Sequence, residues 1–348
     1  MSVPKTMKAV VTTKPEPKSL EYRDVPVPTP APGEVLVKLK IASICGTDTH
    51  IYKWDAWAQK RIKTPLVQGH EWAGEVAQLG AGVKGLQVGD YVSGEGHIPD
   101  WTCSICRGGN PHVCRNVSIL GIDRQGSFAQ YMPVPAANIV KNPPELPLEL
   151  ATIQDPLGNA VQTCWSANPA GKTVAVLGLG PIGLMSLTVA KAMGAAKVIA
   201  VGHKNQYRLD LARKVGADLV LSARDDIPGR IHDVTGGEGV DEVLEMSGNS
   251  EAVSTAFQVL KPGGGIHLLG VFPDKFTVDV NQLVFKGTRM VGIHGRRMFQ
   301  DWQLMQGLLQ GGRLNLQPIL THKLRLPEFE KGFEAMLGDS GKVVMYVD

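Results

Sequence analysis

The stretch KTVAVLGLGPIGLMSLTVAKAMGA, residues 172–195, decides the fold of this chain. Its first part is an apolar run that predicts a β-strand ending in glycines, and PIGLMSLTVAKAMGA has the spacing of a helix. A second strand, KVIAVG (197–202), and a second helix, QYRLDLARKVGA (206–217), follow, and the alternation continues through GGGIHLLGV (263–271). Because strands that alternate with helices pair in parallel, this part of the chain predicts an α/β fold with a doubly wound parallel sheet.

The glycines within that stretch, Gly178-Leu179-Gly180-Pro181-Ile182-Gly183, form the pattern G-x-G-x-x-G between a predicted strand and a predicted helix. Gly178 permits the tight turn, Gly180 lets backbone N–H groups approach a pyrophosphate, and Gly183 lets the helix and the strand pack closely. The helix N-terminus adds partial positive charge for the phosphates. The sequence therefore predicts a Rossmann dinucleotide site; a glycine-rich turn without a ligand is the alternative.

The end of the second predicted strand bears on which dinucleotide binds. An acidic residue there would hydrogen-bond the ribose 2′-hydroxyl of NAD, but the strand ends Val201-Gly202-His203-Lys204, and Arg208 follows. Lys204 and Arg208, helped by His203, would hold a 2′-phosphate through charge-assisted hydrogen bonds. Gly202 would leave room for that phosphate. We therefore expect NADP in preference to NAD; the alternative is that these cations are solvated and NAD binds without an acidic anchor.

The rest of the chain has a different pattern. EVLVKLKIAS (34–43) and GEVAQLG (74–80) read as short strands between turn signals such as APG and VGD. The last part of the chain reads as a helix, DWQLMQGLLQGG (301–312), and a final strand, KVVMYVD (342–348). Since the doubly wound part is already complete, we expect this C-terminal segment to return to the first domain.

Composition and charge exclude several classes of protein. The chain has 348 residues, enough for two domains, and 43% of them are hydrophobic and 20% charged, as in ordinary globular proteins. Its net charge is +3 with no basic block, so nucleic acid is not an expected partner. Because the apolar runs are interrupted and the N-terminus lacks an apolar core segment, we expect neither a membrane span nor a secretory signal. Five cysteines without the spacing of a disulfide framework favour the reducing cytoplasm.

Two groups of residues have the chemistry and spacing of metal ligands. The lobe HIPDWTCSICRGGNPHVC (97–114) carries three cysteines, but a tetrahedral thiolate site needs a fourth ligand. Cys45 and Gly69-His70-Glu71 offer a thiolate, an imidazole and a carboxylate, which bind Zn²⁺ and leave a position open for a substrate. One at a time, a cysteine or a histidine is more often structural. Together with a dinucleotide site, these residues indicate a Lewis acid beside a hydride acceptor.

The motifs CGTD, GHE, the cysteine-rich lobe and G-x-G-x-x-G, in this order, resemble those of the zinc-dependent medium-chain dehydrogenases, and the resemblance covers essentially the whole chain. Within that family the similarity is greater to the branch that oxidises L-threonine. The segments that carry this similarity are ICGTDTHIYKWDAWAQKRI (44–62), GDYVSGEGHI (89–98), DPLGNAV (155–161), LEMSG (244–248) and FKGTRMVGIHGRRMF (285–299). HIYKWDAW is much less generic than GHE, so it weighs most in the comparison.

The resemblance implies an architecture for the whole chain. It implies a mainly β, GroES-like catalytic zinc domain over 1–155, which includes the lobe at 97–114. A Rossmann domain with a doubly wound parallel sheet is expected over 156–296, and a C-terminal return to the catalytic domain over 297–348. It also implies a homotetramer, which nothing else in the sequence addresses.

The same resemblance implies roles for individual residues. Cys45, His70 and Glu71 fall on the catalytic zinc positions, and Asp155 stands where a further acidic group lies near that metal. Whether Glu71 and Asp155 bind the metal together or alternately stays open. Thr47 and His50 match the proton-relay pair, and His97 matches a position facing the substrate, with a hydrogen-bonded structural histidine as the alternative. The matching cofactor contacts are Ile182, His203, Arg208, Leu269, Gly270, Val271, Ile293 and His294.

The cysteine-rich lobe departs from the family at one position. In the family it holds a structural zinc through four cysteines spaced C-x2-C-x2-C-x7-C, and counting back three residues from Cys103 gives Asp100. A carboxylate oxygen can bind zinc, so a second Zn²⁺ held by Asp100, Cys103, Cys106 and Cys114 is expected. The alternative is a metal-free lobe with reduced thiols.

These features together predict a zinc-dependent oxidation of a small secondary alcohol by hydride transfer to NAD(P). The resemblance favours L-threonine as substrate and 2-amino-3-oxobutanoate as product. A polyol or secondary-alcohol dehydrogenase of the sorbitol or butanediol type is the nearest alternative, since it shares the zinc and Rossmann motifs. A non-catalytic dinucleotide-binding protein is a remote one, because the four candidate residues around the catalytic metal are all present.

Overall fold

The structure of this chain is a computed structural model, and it describes residues 3–347. The chain forms two compact units. The first contains the residues up to Asp155 together with the chain from Leu320 onward, and the second is Pro156–Ile319. The first unit is mainly β, and the second alternates strands and helices.

The strands and helices have the following bounds. The strands are β1 (Thr6–Thr12), β2 (Leu20–Pro26), β3 (Glu34–Ser43), β4 (Leu66–Val67), β5 (Glu71–Leu79), β6 (Tyr91–Gly94), β7 (His97–Ile98), β8 (Ser118–Ile119), β9 (Tyr131–Pro135), β10 (Ile139–Lys141), β11 (Thr173–Leu177), β12 (Lys197–Gly202), β13 (Leu219–Ser222), β14 (Val240–Glu245), β15 (Leu260–Leu268), β16 (Arg289–Gly292), β17 (Leu320–Arg325) and β18 (Lys342–Tyr346). The helices are α1 (Gly46–Lys53), α2 (Ala56–Arg61), α3 (Ser104–Arg107), α4 (Leu148–Thr152), α5 (Gln154–Ala167), α6 (Pro181–Ala192), α7 (Gln206–Lys214), α8 (Ile227–Val234), α9 (Ser250–Val259), α10 (Val280–Lys286), α11 (Gln300–Gln310) and α12 (Phe329–Leu337). Within residues 3–347, none of the helices has both the length and the apolar character needed to cross a membrane.

The first unit is built on a mainly antiparallel sheet of seven strands. Its order is β10-β6-β5-β3-β18-β17, and β9 also pairs with β3. β3 lies near the centre because its alternating sequence places Val35, Val37 and Leu39 in the buried core. β18 pairs antiparallel with β3, so the C-terminal strand completes this sheet.

The second unit is built on a six-stranded sheet in which every neighbouring pair is parallel. The order is β13-β12-β11-β14-β15-β16, so the strand order reverses between β11 and β14. Ligands of such sheets bind beyond the carboxyl ends of the strands at this reversal point. The predicted α/β fold, with a doubly wound parallel sheet and a mainly β companion unit, is confirmed.

The returning C-terminal segment begins at Leu320, whereas the sequence places its start at residue 297. The intervening residues stay with the second unit, and two hydrogen bonds of Asn315 show this. Its backbone N–H donates to Thr188 Oγ1 at 2.8 Å, and its side-chain Nδ2 donates to the Lys214 carbonyl at 2.9 Å. Helix α11 and the loop after it therefore belong to the α/β unit.

Candidate active site

Cys45, His70 and Glu71 come together because of the pairing of two strands. Cys45 follows β3 and caps the N-terminus of α1, while Glu71 is the first residue of β5. The strands are antiparallel with Ser43 opposite Glu71, so the end of one strand meets the start of the other. One ligand atom from each of the three residues lies within 4.8 Å of the others. The structure therefore groups the predicted thiolate, imidazole and carboxylate at one point.

The charges and unpaired atoms of this group fit a divalent cation. Among the described residues, His70 Nδ1 and Glu71 Oε1 are buried side-chain atoms without a hydrogen-bond partner. Burial alone would lower the pKa of His70, but the charge of Cys45 and its hydrogen bond outweigh burial and, with Asp48 and Asp155, raise that pKa to about 10. The surroundings thus place excess negative charge on a site lined by zinc-ligand atoms, and a bound Zn²⁺ would neutralise it.

Glu71 is also held by two residues that the sequence analysis missed. Its Oε2 atom accepts from the Ser43 hydroxyl and contacts the Lys342 ammonium group, which donates to the Ile44 carbonyl at 2.8 Å. Lys342 is buried, and although burial lowers its pKa, the charge of Glu71, followed by that of Cys45, raises it overall. The only signal in the sequence was a lysine at the start of an apolar strand. Glu71 therefore has one oxygen in an ion pair and the other without a partner among the described residues.

Asp155 lies beside this group but is not a member of the set of three ligand atoms. It stands in the first turn of α5, is buried, and its charge acts on His70. Asp155 Oδ2 and His70 Cβ each lie 3.5 Å from the point where a Cβ on Gly96 would stand, so the carboxylate is in the neighbourhood of His70. The structure thus brings the predicted second acidic residue, Asp155, to the neighbourhood of the site.

Thr47 and His50 lie three residues apart on α1, next to Cys45. Thr47 Oγ1 is 3.8 Å from Cys45 Sγ, and the His50 side chain is 58% exposed. Residues at this spacing share a face of a helix, so the two predicted relay groups lead from the metal ligands toward solvent.

His97 has the hydrogen bond that the structural alternative requires. Its Nδ1 atom and its backbone N–H both lie 3.0 Å from Glu95 Oε1, and Glu95 is completely buried. The side chain of His97 keeps 20% of its surface exposed. The hydrogen bond with Glu95 therefore anchors His97 at one ring nitrogen. This arrangement agrees both with a histidine that faces the substrate and with a structural histidine.

The four lobe residues also come together in space. Ligand atoms of Asp100, Cys103, Cys106 and Cys114 all lie within 4.8 Å of one another. Cys103 Sγ is 3.5 Å from Cys106 Sγ and 3.8 Å from Cys114 Sγ, and Cys106 Sγ is 3.5 Å from Asp100 Oδ1. This is the cluster expected from the spacing, with the carboxylate at the position of the missing thiolate.

Hydrogen bonds within the lobe prepare some of these groups for a cation. The backbone N–H groups of Cys103 and Thr102 hold the pKa of Asp100 well below its usual range. The backbone N–H of Cys106 lowers the pKa of Cys103. Burial, with the neighbouring thiols, raises the pKa of Cys106 to about 12. A bound cation would stabilise the ionised forms of three thiols and a carboxylate that lie this close together.

The residues predicted to bind the dinucleotide follow the carboxyl ends of the parallel strands. The strand register aligns the last residues of β11, β14, β15 and β16 in one row. Gly202 is the last residue of β12, and the other predicted contacts follow the end of β12 or one of these ends: Gly178, Gly180, Ile182, Gly183, His203, Lys204, Arg208, Leu269, Gly270, Val271, Ile293 and His294. The structure therefore places them along one edge of the sheet.

The glycine motif has the geometry that a pyrophosphate requires. Gly178 has φ of +103°, and a Cβ on Gly183 would lie 1.9 Å from the Gly178 carbonyl oxygen. Gly180 caps α6, has open space where a Cβ would stand, and leaves the helix N-terminus accessible. The sequence analysis missed Glu245, which is buried and accepts from the Ser247 and Gly248 backbone N–H groups at 2.7 and 3.0 Å, beside this turn.

The end of β12 presents polar side chains to solvent, and Gly202 itself packs against two leucines. His203 and Lys204 are exposed, and Arg208 is in the first turn of α7. A Cβ on Gly202 would lie 2.8 Å from both Leu179 and Leu209, so close packing against these leucines explains the glycine.

Comparison with known proteins agrees with both units. The alcohol dehydrogenase GroES-like domain family matches residues 31–144, and the zinc-binding dehydrogenase family matches residues 181–310. The L-threonine 3-dehydrogenase of Pyrococcus horikoshii is 48% identical over 342 residues, which cover 97% of this chain and 98% of that protein. The chain belongs to the zinc-dependent medium-chain dehydrogenases, of the threonine dehydrogenase type. The predicted family, fold and enzyme class are confirmed.

Solved structures of other dehydrogenases have the same fold as this dehydrogenase. An alcohol dehydrogenase from Escherichia coli CFT073, solved with NADH, aligns with a TM-score of 0.90 at 26% identity and covers 99% of this chain and 100% of its own. A zinc-binding dehydrogenase from Sinorhizobium meliloti 1021, solved with NADP, aligns with a TM-score of 0.89 at 27% identity and the same coverage. The family uses zinc and a nicotinamide dinucleotide, and this dehydrogenase has residues that fit both.

Proposed function

We propose that this dehydrogenase oxidises the 3-hydroxyl group of L-threonine to give 2-amino-3-oxobutanoate. The observation that carries the proposal is the 48% identity to an L-threonine 3-dehydrogenase along 97% of the chain. The grouping of Cys45, His70 and Glu71 supports the zinc chemistry that this oxidation needs. Turnover of polyols or simple secondary alcohols in place of threonine would assign the enzyme to the sorbitol- or butanediol-type branch.

The residues of the first unit would divide the reaction among them. Cys45, His70 and Glu71 would hold Zn²⁺, with Asp155 as the further acidic residue beside it. When bound, Zn²⁺ would act as a Lewis acid that lowers the pKa of the substrate hydroxyl toward neutral pH, and the nicotinamide ring would accept the hydride.

Thr47 and His50 would then carry the proton of the substrate hydroxyl away from the metal ligands to solvent. Their positions on one face of α1, with His50 exposed, support this direction of transfer. His97, anchored on Glu95, would face the substrate with a fixed ring. Fixing these groups before the substrate arrives contributes to the rate, because the reacting atoms need not be ordered during the reaction.

For the dinucleotide, we propose that NADP is preferred to NAD. The support is the exposed His203 and Lys204, followed by Arg208, at the strand end where NAD enzymes of this fold place an acidic residue. Related structures hold NADH in one case and NADP in another, so the family admits both.

The second zinc is proposed for the lobe, held by Asp100, Cys103, Cys106 and Cys114. The three cysteines of the lobe would remain reduced in the cytoplasm, which we propose as the compartment.

The enzyme is also proposed to form a homotetramer. In the second unit, β16 is the last strand of the sheet, and exposed apolar side chains occur in β16, in the preceding helix α10 and just after β15. These are Val271, Val280, Val284, Phe285 and Val291. An exposed sheet edge with apolar neighbours is a surface that proteins normally cover, and a second copy of the chain would cover it symmetrically.

The test of the function is an assay of initial rates with zinc-loaded protein and L-threonine. One series contains NAD and a parallel series contains NADP. Turnover with NADP preferred supports both the substrate and the cofactor. Turnover with NAD preferred keeps the substrate and contradicts the assignment of the cations. The Cys45→Ser variant should lose turnover and keep dinucleotide binding, measured by quenching of protein fluorescence. Normal rates in a metal-depleted Cys45→Ser protein would contradict the zinc mechanism.

A further inference from the structure

The turn Trp54-Asp55 joins α1 to α2 close to His50, and it belongs to the least generic segment of the sequence, HIYKWDAW. Trp54 is buried and has left-handed backbone angles, φ 51° and ψ 47°, which reverse the chain at the end of α1. The backbone N–H groups of Trp54 and Asp55 both donate to the His50 carbonyl. The turn therefore brings Asp55 back over the histidine that precedes it by five residues.

The two carboxylate oxygens of Asp55 have different partners. Oδ1 accepts from the backbone N–H groups of Trp57 and Ala58, each at 3.0 Å, and so caps α2. Oδ2 lies 2.5 Å from His50 Nδ1. A helix cap uses only one oxygen, so the contact with His50 is a separate feature. Since both side chains are partly exposed, the pair adds little to stability.

The chemistry of this contact determines which ring nitrogen of His50 carries hydrogen. Burial favours the neutral form of Asp55, but hydrogen bonds from the Ala58 backbone and from His50 outweigh burial and lower the pKa of its carboxyl group. An ionised carboxylate only accepts hydrogen bonds, so Nδ1 has to be the donor. In the neutral ring Nε2 is then the free acceptor. The Trp57 ring, edge-on with its centroid 6.2 Å from that of His50, limits the ring further.

We propose that Asp55 is a positioning residue that holds His50 with hydrogen on Nδ1, so that Nε2 accepts the proton released by the substrate. The inference rests on the proposed function, in which His50 belongs to the proton relay. Nε2 takes up one proton and the ring becomes an imidazolium paired with the Asp55 carboxylate. The proton on Nε2 then passes to water, the ring returns to its neutral form, and Asp55 neither gains nor loses a proton.

The first variant for the test is Asp55→Asn in the full-length, zinc-loaded enzyme. Asparagine caps helices as well as aspartate does, so α2 is preserved. With its oxygen at the cap, its NH₂ group faces Nδ1 and favours the opposite tautomer. We expect kcat to fall roughly 5- to 30-fold, less than the 10²–10⁴ attributed to a general base itself, with KM for both substrates nearly unchanged. Asp55→Ser, which also caps but cannot reach His50, serves as a second variant with the same expected loss.

A double-mutant cycle with His50→Asn separates positioning from a structural effect. If Asp55 acts through His50, Asp55→Asn causes no further loss of kcat in the His50→Asn background. Asp226→Asn is the matched control, because Asp226 caps α8 by accepting from the Gly229 N–H at 3.1 Å and should leave kcat unchanged when replaced.

The cycle is measured with whichever secondary alcohol the wild type oxidises, so that failure of threonine as substrate does not affect it. Losses that multiply in the double variant overturn the role of Asp55. A normal kcat in Asp55→Asn, together with a lowered kcat in His50→Asn, would also overturn the role of Asp55. A normal kcat in His50→Asn overturns the relay, and the inference with it.

Discussion

Lys342 shows how strongly one buried residue can determine the candidate metal site. Its ammonium group is 2% exposed and contacts Glu71, whose carboxylate is completely buried. A buried charge without its partner is costly, and here the partner is also a candidate metal ligand. Glu71 is thus oriented by a residue from the other end of the chain.

Replacing Lys342 by alanine should therefore destabilise the protein. Removing one partner of a buried pair costs about 3–5 kcal/mol, because the remaining charge keeps its desolvation penalty. The free energy of unfolding in urea, measured on zinc-loaded protein, checks this. Lys331→Ala, at the exposed pair with Glu328, is the matched control and should leave that free energy unchanged. A Lys342→Ala protein as stable as the wild type would show that Glu71 does not depend on this cation.

A second residue, His203, governs the cofactor preference that we propose. In His203→Asp, a carboxylate would repel a 2′-phosphate and accept from a 2′-hydroxyl, so the ratio of kcat/KM for NADP to that for NAD should fall about 10- to 100-fold. Steady-state rates with each dinucleotide measure the ratio. His232→Asp makes the same change at a partly exposed histidine of α8 and should not alter the ratio. An unaltered ratio in His203→Asp would refute the assignment of this strand end.

At the scale of elements, the cysteine-rich lobe is held by little regular structure. It contains only the two-residue strand β7, which pairs with β8 just beyond the lobe, the short helix α3 and one turn of 3-10 helix. The N–H groups that α3 and its cap direct at Asp100 and Cys103 keep these two groups ready for a cation. A bound metal would supply much of the order of such a segment.

The lobe gives a prediction about zinc content. The wild type should carry two zinc ions per chain by elemental analysis, and Asp100→Ala should carry one, because three ligands hold zinc less firmly than four. Asp100→Cys is the matched variant, which restores a four-thiolate site and should keep both ions longer against a chelator. A wild-type protein with a single zinc would favour the metal-free lobe.

At the scale of the whole molecule, the chain divides its chemistry between its two units. All the candidate metal ligands lie in the first unit, and the dinucleotide motifs all lie in the second. Damage to the metal site should therefore spare dinucleotide binding. The apolar surface beside β16 belongs to the second unit alone, so association between chains is expected through that unit.

The proposed association of four chains can be tested in solution. Light scattering coupled to size-exclusion chromatography should report four times the chain mass of 37.4 kDa. Phe285, 85% exposed on α10, should be covered in the tetramer, so Phe285→Lys should lower the measured mass. Val88→Lys, at an apolar residue 64% exposed in the first unit, should not. A monomeric wild-type protein would contradict the proposed homotetramer.

The sequence by itself determined the α/β fold of the second unit and the glycine turn, and it supplied the cysteines, histidine and acidic residues that the family resemblance assigns to two metal sites. These follow from local patterns: the period of the apolar residues, the glycines between a strand and a helix, and cysteines at fixed spacing. Only the tertiary structure decided that Lys342 meets Glu71, that Gly202 packs on two leucines, and that Asp55 faces His50. Such contacts join residues whose separation carries no periodic signal, and they arise from strand register and backbone turns that form only when the whole chain packs.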